Sequence, residues 1–164
     1  MYREDFMKRA IELSRSALEK PGTEPFGALI VMDGKIVGEG LNHALAHFDP
    51  TSHGEVEAIR DACRRLERVE LTGAELYTSC EPCALCVATM AIAGISRLYF
   101  AASMDQAGEA FAGLTRAQRY PIDSEKIRAE AGATVENRSI PATQALDREA
   151  HEVLVRWAER RRGG

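Results

Sequence analysis

The spacing of apolar residues first follows a helix and then two strands. Within Glu4–Lys20 they recur every three to four positions, which predicts an amphipathic opening helix that ends at Pro21-Gly22. The next two segments, Phe26–Met32 and Lys35–Leu41, are rich in apolar and β-branched residues. Asp33-Gly34, a dipeptide typical of tight turns, joins them, so the pattern predicts a β-hairpin.

After the hairpin, segments with helical spacing alternate with short apolar runs. A second helix is predicted to begin near His53 and to extend its apolar stripe to Leu66. A strand, a helix and another strand are then predicted over Glu75–Ser79, Cys83–Ala93 and Ile95–Ala102. Strands that alternate with helices run parallel, and the helices cover both faces of one sheet.

The C-terminal third of the sequence is less regular. No element is assigned to Asp105–Pro121, whereas Thr134–Ile140 is predicted to be a last strand and Ala142–Arg161 a closing helix. The expected fold is α/β, a three-layer α/β/α sandwich with a mixed sheet of about five strands. A length of 164 residues is usual for one domain, so a single domain is predicted for residues 1–164.

Composition and charge narrow the class of function. The sequence has no apolar run of about 18 residues that would span a membrane. Residues 1–20 mix charged and apolar side chains, unlike the core of a signal peptide, so a cytoplasmic protein is expected. The net charge of −4 disfavours a nucleic-acid partner and favours a small-molecule substrate.

The cysteines indicate metal or redox chemistry. Four cysteines are too few for a disulfide scaffold in a chain of this length, and three of them fall within Cys80–Cys86. The fourth, Cys63, lies on the apolar stripe of the second helix, where the role of a small buried hydrophobe suffices. Reduced thiols are therefore expected.

A histidine motif and a cysteine motif each stand where a helix is predicted to begin. His53-Gly54-Glu55 opens the second helix, and Pro82-Cys83-Ala84-Leu85-Cys86 opens the third. Together they match the signature of zinc deaminases that act on nucleobases. Two thiolates one helical turn apart face the same way, and the positive end of the helix lowers their pKa toward the charged form that a metal needs.

These motifs predict a catalytic metal centre. His53, Cys83 and Cys86 are the predicted Zn²⁺ ligands, and three protein ligands leave the fourth tetrahedral position open for water. Glu55, two residues after the histidine, can reach over that position without binding the metal. It can accept a proton from water and deliver it to a ring nitrogen and a departing amine, so Glu55 is the predicted catalytic residue.

The same cysteines allow other kinds of site. A Cys-x-x-Cys pair can be redox-active, and Cys80, Cys83 and Cys86 form an overlapping run similar to that of iron–sulfur ligands. A purely structural zinc site is a third alternative, but it leaves Glu55 without a function. The upstream His-x-Glu and the proline directly before Cys83 favour the deaminase site.

Beyond these motifs, the chain up to about Ala110 resembles the cytidine deaminase superfamily, within it the branch of guanine deaminases and tRNA adenosine deaminases. The similar segments are Pro25-Phe26-Gly27-Ala28, Glu39-Gly40-Leu41-Asn42, Asp49-Pro50-Thr51 and Tyr77-Thr78-Ser79-Cys80-Glu81-Pro82-Cys83. Taken together, they are most similar to the guanine deaminases. The resemblance implies a hydrolase of cyclic amidine C–N bonds, which releases ammonia from a free nucleobase or nucleoside by attack of zinc-bound hydroxide. A purine such as guanine or a related aminopurine is the expected substrate.

The resemblance also implies which residues bind the substrate. Asn42 is expected to hydrogen-bond the ring edge, Phe26 to stack on the ring, and the backbone at Gly54 to contribute a donor. Glu81 and Phe48 are further candidates, the latter because it lies in the loop that leads to the site. Members of the family more often have alanine at position 54.

One departure from the family concerns substrate identity. Bacterial guanine deaminases carry an acidic residue in the segment that matches Gly113-Leu114, and a tyrosine at the C-terminal end, and this chain has neither there. Glu109 or Asp105 is the candidate replacement for the acid. Another purine, a nucleoside, a cytosine or cytidine-type substrate or another amino-heterocycle therefore also fits, whereas the acidic charge disfavours a tRNA adenosine deaminase.

The resemblance further implies a homodimer. Two sequence features agree with it: the helix predicted over Cys83–Ala93 consists of small apolar residues, and Trp157 lies on an apolar face of the closing helix. The expected partners are therefore a second copy of the chain and a nucleobase or nucleoside, with no membrane and no nucleic acid.

Overall fold

A computed structural model describes residues 1–163 of the chain. Up to residue 102 the elements follow the predicted order of helix, hairpin, helix, strand, helix and strand, with one short helix added after the hairpin. The α-helices and β-strands are α1 (Glu4–Arg15), β1 (Glu24–Met32), β2 (Lys35–Asn42), α2 (Ala44–His47), α3 (Gly54–Leu66), β3 (Glu75–Cys80), α4 (Ala84–Ala93), β4 (Arg97–Ala102), α5 (Met104–Ala110), α6 (Ser124–Gly132) and α7 (Asp147–Arg162).

The strands form one mixed sheet in the order β2-β1-β3-β4. Strand β1 pairs antiparallel with both β2 and β3, whereas β3 and β4 run parallel. The parallel pair follows from α4, because a helix between two strands returns the chain to the edge from which the first strand started. The predicted mixed sheet is confirmed, with four strands within the described residues instead of about five.

The fifth strand, predicted over Thr134–Ile140, is wrong. This segment contains a 3₁₀ turn at Val135–Asn137, and its residues are largely exposed. Local bonds from side chains to the backbone replace a strand ladder here, since Arg138 Nε donates to the Ala133 carbonyl oxygen over 3.2 Å. A run of polar residues between two isolated apolar ones also gives no continuous apolar face for a sheet.

Strand β1 is buried on both faces because helices cover the sheet from both sides. Leu29 and Val31 pack in a cluster with residues of α1, and the intervening Ala28 and Ile30 pack in a second cluster with residues of α3. Successive side chains of a strand point to opposite faces, which explains this division. The predicted three-layer α/β/α sandwich is confirmed.

Contacts along the chain divide it into two compact units, Met1–Ile127 and the residues from Arg128 onward. In the second unit, α7 begins at Asp147 and not at Ala142 as predicted, because Leu146 has a left-handed backbone with φ of 56°. Trp157 on α7 is exposed. The single domain predicted for the whole chain stays a prediction. No helix in residues 1–163 has the length and apolar character needed to cross a bilayer.

Candidate active site

A cleft with a cavity volume of about 200 Å³ opens where α3 and α4 begin and β3 ends. The cleft includes seven of the ten site residues predicted from the sequence. Its lining residues are Glu24, Phe26, Asn42, His53, Glu55, Cys80, Glu81, Cys83, Cys86, Met104, Ala107, Gly108, Phe111, Arg119, Ile122 and Ser124.

His53, Cys83 and Cys86 form a compact group of three metal-ligating side chains at the base of the cleft. The first two directly precede α3 and α4, and Cys86 lies one turn into α4. His53 Nδ1 is 3.5 Å from Cys83 Sγ and 3.4 Å from Cys86 Sγ, and the two sulfurs are 3.7 Å apart. A tetrahedral zinc ion would need about 3.6 Å between nitrogen and sulfur and about 3.8 Å between the sulfurs, given its usual bond lengths. The donor types and their spacing therefore fit Zn²⁺.

The electrostatics of this group favour a cation. The hydrogen bond with Cys86, followed by the one with His53, lowers the pKa of Cys83 to about 4. The same hydrogen bond between the sulfurs, together with burial, raises the pKa of Cys86. The bond with Cys83 raises the pKa of His53. In the absence of metal, Cys83 is therefore a thiolate, whereas Cys86 and His53 tend to keep their protons. Binding of a metal ion to all three ligands would displace those protons.

Glu55 lies in the first turn of α3, directly beside the ligand group. Its side chain is buried, and burial is the main reason why its pKa is raised above the usual value. Thr78 Oγ1 on β3 donates to Glu55 Oε1 over 3.2 Å, and the Cys86 thiol donates to Oε2 over 3.3 Å. These two hydrogen bonds fix the carboxylate at the base of the cleft.

Asn42 and Phe26 lie on the hairpin side of the cleft. The buried Asn42 accepts a hydrogen bond from the backbone N–H of Ala44 through Oδ1, at 3.0 Å. Its amide is thus held with Nδ2 as the available donor. The ring of Phe26 meets that of Phe111 edge to face, with 5.9 Å between the centroids. The cleft therefore combines an oriented amide with a pair of aromatic rings, both suited to a flat heterocycle.

Gly54 is buried but does not line the cleft. A Cβ atom at this position would lie 2.2 Å from the carbonyl oxygen of Phe26, so α3 approaches β1 more closely than a larger residue permits. The alanine that is more frequent in the resembling family would force the backbone of β1 to move. The predicted backbone donor at Gly54 stays a prediction.

Besides Gly54, three residues that the sequence suggested for substrate binding lie outside the cleft. Phe48 follows α2 and is 94% exposed. Glu109 and Asp105, the candidate replacements for the missing acid, are on the exposed side of α5, whereas Met104, Ala107 and Gly108 of the same helix line the cleft. Glu81 does line it, and its Oε2 accepts a hydrogen bond from the backbone N–H of Met104 over 2.9 Å.

Sequence reasoning missed Glu24, Phe111 and Arg119. Glu24 pairs directly with Asn42 across β1 and β2, so the register of the predicted hairpin was a signal for it. Arg119 and Phe111 belong to residues 105–121, whose apolar residues have no regular spacing. The sequence therefore contained no signal that these two side chains line the cleft. Cys80 also lines the cleft but is not part of the three-ligand group.

The chain is similar to known deaminases in sequence and in structure. The family model described as the cytidine and deoxycytidylate deaminase zinc-binding region matches residues 1–102. Guanine deaminase of Bacillus subtilis (strain 168) is 38% identical over 157 residues, which cover 96% of this chain and 94% of that protein. A tRNA-specific adenosine deaminase of Aquifex aeolicus (strain VF5) is 40% identical over 102 residues, or 62% of this chain and 67% of that protein. The X-ray structure of the B. subtilis guanine deaminase has a TM-score of 0.81 at 36% identity, covering 97% of this chain and 95% of that one.

A three-ligand zinc centre and a buried carboxylate at the helix ends of an α/β/α sandwich define a zinc-dependent deaminase, a hydrolase acting on C–N bonds. The matched region includes His53, Cys83 and Cys86. This chain belongs to the cytidine and deoxycytidylate deaminase zinc-binding family. The predicted Zn²⁺ cofactor is confirmed by the family region and by the ligand geometry.

Proposed function

We propose that this chain hydrolyses the exocyclic amino group of a free purine base, guanine or a related aminopurine, and releases ammonia. The main support is the buried carboxylate of Glu55 beside the three-ligand group, at the base of a cleft with two aromatic rings. The similarity to a guanine deaminase over nearly the whole chain supports a purine base as the substrate.

His53, Cys83 and Cys86 would hold the zinc ion. Zn²⁺ bound there supplies Lewis acidity, which makes water a stronger acid near neutral pH. The thiolate character of Cys83, with its pKa of about 4, supplies the negative charge that this site needs.

Glu55 moves the protons of the reaction. Water adds to the ring carbon that bears the amino group, and one of its protons passes to the ring nitrogen. When the C–N bond breaks and the new hydroxyl becomes the ring carbonyl, the hydroxyl proton passes to the departing amine, which leaves as ammonia. Burial raises the pKa of Glu55 above its usual value, which favours a carboxyl that holds a proton between accepting it and donating it. The hydrogen bond from Thr78 holds the carboxylate in place during these transfers.

Asn42, Phe26 and Phe111 orient the ring. The bond from the backbone N–H of Ala44 to Oδ1 directs the Nδ2 donor of Asn42 toward an acceptor on the ring edge. The aromatic pair packs against a flat base and holds the ring in the cleft. The net reaction consumes one water molecule and yields a ring carbonyl and ammonia.

We also propose that the protein is a homodimer in which α4 lies at the interface. This helix is apolar at every position except Thr89, yet one of its faces is exposed at Val87, Ala88, Ala91 and Ile92. A helix that is apolar all round is normally buried, so this face needs a partner. A second copy of the chain supplies an identical apolar face. The cytoplasmic location expected from the sequence stays a prediction.

The test is ammonia release by the purified, zinc-loaded protein from guanine, adenine, cytosine, guanosine and cytidine. We expect ammonia and xanthine from guanine, at a rate that exceeds those for both pyrimidines and both nucleosides. Release of ammonia from a pyrimidine alone would overturn the purine assignment. A protein with one zinc ion per chain that released ammonia from none of these compounds would overturn the proposed function.

A further inference from the structure

Most polar side chains in the cleft are already bound within the protein. Ser124 Oγ accepts from the backbone N–H of Ala84 over 2.8 Å, and Glu81 uses one carboxylate oxygen for the N–H of Met104. Asn42 uses its oxygen but leaves Nδ2 unused. The groups that remain for a ligand are therefore few.

Glu24 stands directly beside Asn42. The two residues are register partners at the open end of the β1–β2 hairpin, and both line the cleft. Directly opposed side chains of an antiparallel pair are on the same face, with Cβ atoms about 5 Å apart. A carboxylate acceptor and an amide donor are thus adjacent on one wall.

Arg119 fixes the orientation of the Glu24 carboxylate. Its Nε donates to Glu24 Oε2 over 3.2 Å, and the two side chains are only 23% and 17% exposed. The guanidinium group lies over the ring of Phe111, 4.4 Å from its centroid, which holds the arginine in turn. Within the described residues no other side chain bonds to the Glu24 carboxylate, so Oε1 is free to accept.

We propose that Glu24 and Asn42 determine specificity by binding a lactam, a ring C=O next to a ring N–H. Asn42 Nδ2 donates to the carbonyl oxygen and Glu24 Oε1 accepts from the N–H, while Arg119 positions the carboxylate. The substrate class is amino-heterocycles with such an edge, of which guanine is one. This inference rests on the proposed function, because it assigns the substrate edge at the same site.

The carboxylate also disfavours bases that lack a lactam. In 2-aminopurine the amino group is on the same carbon as in guanine, but the neighbouring ring nitrogen has no hydrogen and the ring has no carbonyl. That nitrogen would face Glu24 Oε1 as a second acceptor, and both would lose their bonds to water without replacement. A glutamine at position 24 can present its amide N–H₂ to the same nitrogen, so Glu24→Gln should change the preference and not merely the overall affinity.

Equilibrium binding of two probes tests this. The fluorescence of 2-aminopurine reports its own binding, and displacement reports the binding of 8-azaguanine, a base with a lactam. Both are measured in zinc-loaded protein with Glu55→Gln, so that neither is consumed. We expect Glu24→Gln to weaken 8-azaguanine binding by about tenfold to hundredfold, the usual value of a hydrogen bond to a charged group, and 2-aminopurine binding to stay unchanged or tighten. Arg119→Gln should lower the ratio of the two affinities by a smaller factor.

Glu39→Gln is the matched control. Glu39 on β2 also pairs with an arginine, Arg9, and lies outside the cleft, so this change should leave both affinities unchanged. Equal effects of Glu24→Gln on the two probes, or no binding of either probe by the parent, would overturn the inference. The ammonia assays test the proposed function separately from the binding measurements. A protein that binds 8-azaguanine through Glu24 but deaminates nothing would refute the proposed function, whereas the lactam assignment would still hold.

Discussion

The Cys86 thiol donates a hydrogen bond to the Glu55 carboxylate over 3.3 Å, which joins the metal-ligand group to the proposed proton-transfer residue. Cys86 comes from α4 and Glu55 from α3, so the contact depends on how the beginnings of the two helices are placed on the sheet. Thr78 on β3 donates a second hydrogen bond to the same carboxylate. The metal-ligand group and the proposed proton-transfer residue are thus adjacent but are different side chains, so substitutions can separate their effects.

Replacing Glu55 by glutamine is expected to keep the zinc and the fold but to lower kcat by about 10² to 10⁴, the usual contribution of general acid–base catalysis. Glutamine preserves the shape of the side chain but cannot accept a proton. Stopped-time ammonia assays, zinc analysis and thermal unfolding measure the three quantities. The control is Glu125→Gln on the exposed surface of α6, which should change none of them. A Glu55→Gln protein with full zinc and activity within about tenfold of the parent would assign Glu55 a structural role.

Cys83→Ala and Cys86→Ala are each expected to remove the zinc and to destabilise the beginnings of α3 and α4 together, because each change deletes one of three protein ligands. Metal analysis of dialysed protein should fall from about one zinc ion per chain to near zero. Cys80→Ala is the informative comparison, since Cys80 lines the cleft outside the ligand group and should keep its zinc. Loss of metal in the Cys80 variant would instead favour the iron–sulfur type of site.

Gly54→Ala is expected to lower the free energy of unfolding by about 1 to 3 kcal/mol, the usual cost of overpacking. The added methyl would lie 2.2 Å from the Phe26 carbonyl oxygen, which belongs to backbone and cannot rotate away. Chemical denaturation measures the change. In Gly132→Ala the methyl meets no atom within 4 Å, so the stability should stay within about 1 kcal/mol of the parent. Parent-like stability of Gly54→Ala would show that β1 and α3 are not in such close approach.

Aspartate at Val87 or Ile92 is expected to convert the proposed dimer to a monomer, because each change places a charge on the exposed apolar face of α4. Sedimentation or light scattering gives the mass in solution. Leu18→Asp is the control. Leu18 is also apolar and 79% exposed, but it lies in the 3₁₀ turn after α1 and not on α4. This change should therefore leave the mass in solution unchanged. If the parent protein sedimented as a monomer at micromolar concentration, the dimer proposal would fail.

The sequence predicted the zinc ligands and Glu55 because their chemistry depends on short spacings. Cys83 and Cys86 must be one helical turn apart to bind one ion, and His53 and Glu55 must both lie at the beginning of the same helix. The hairpin and the alternating helices and strands followed from apolar periodicity, since burial on a helix or a strand imposes a fixed repeat. The strand predicted near the C-terminus failed because that segment has local polar contacts and no apolar face.

By itself, then, the sequence determined the layers of the sandwich and the residues of the metal centre, because both depend on order and spacing along the chain. Tertiary structure alone decided which polar groups form the walls of the cleft. Glu24 and Arg119 are 95 positions apart, and their ion pair depends on the strand register and on the path of a segment without periodicity. Glu109 and Asp105 were equally acidic in the sequence, but the face of α5 on which they lie points away from the cleft. The direction of a side chain depends on packing against distant residues, which local spacing does not contain.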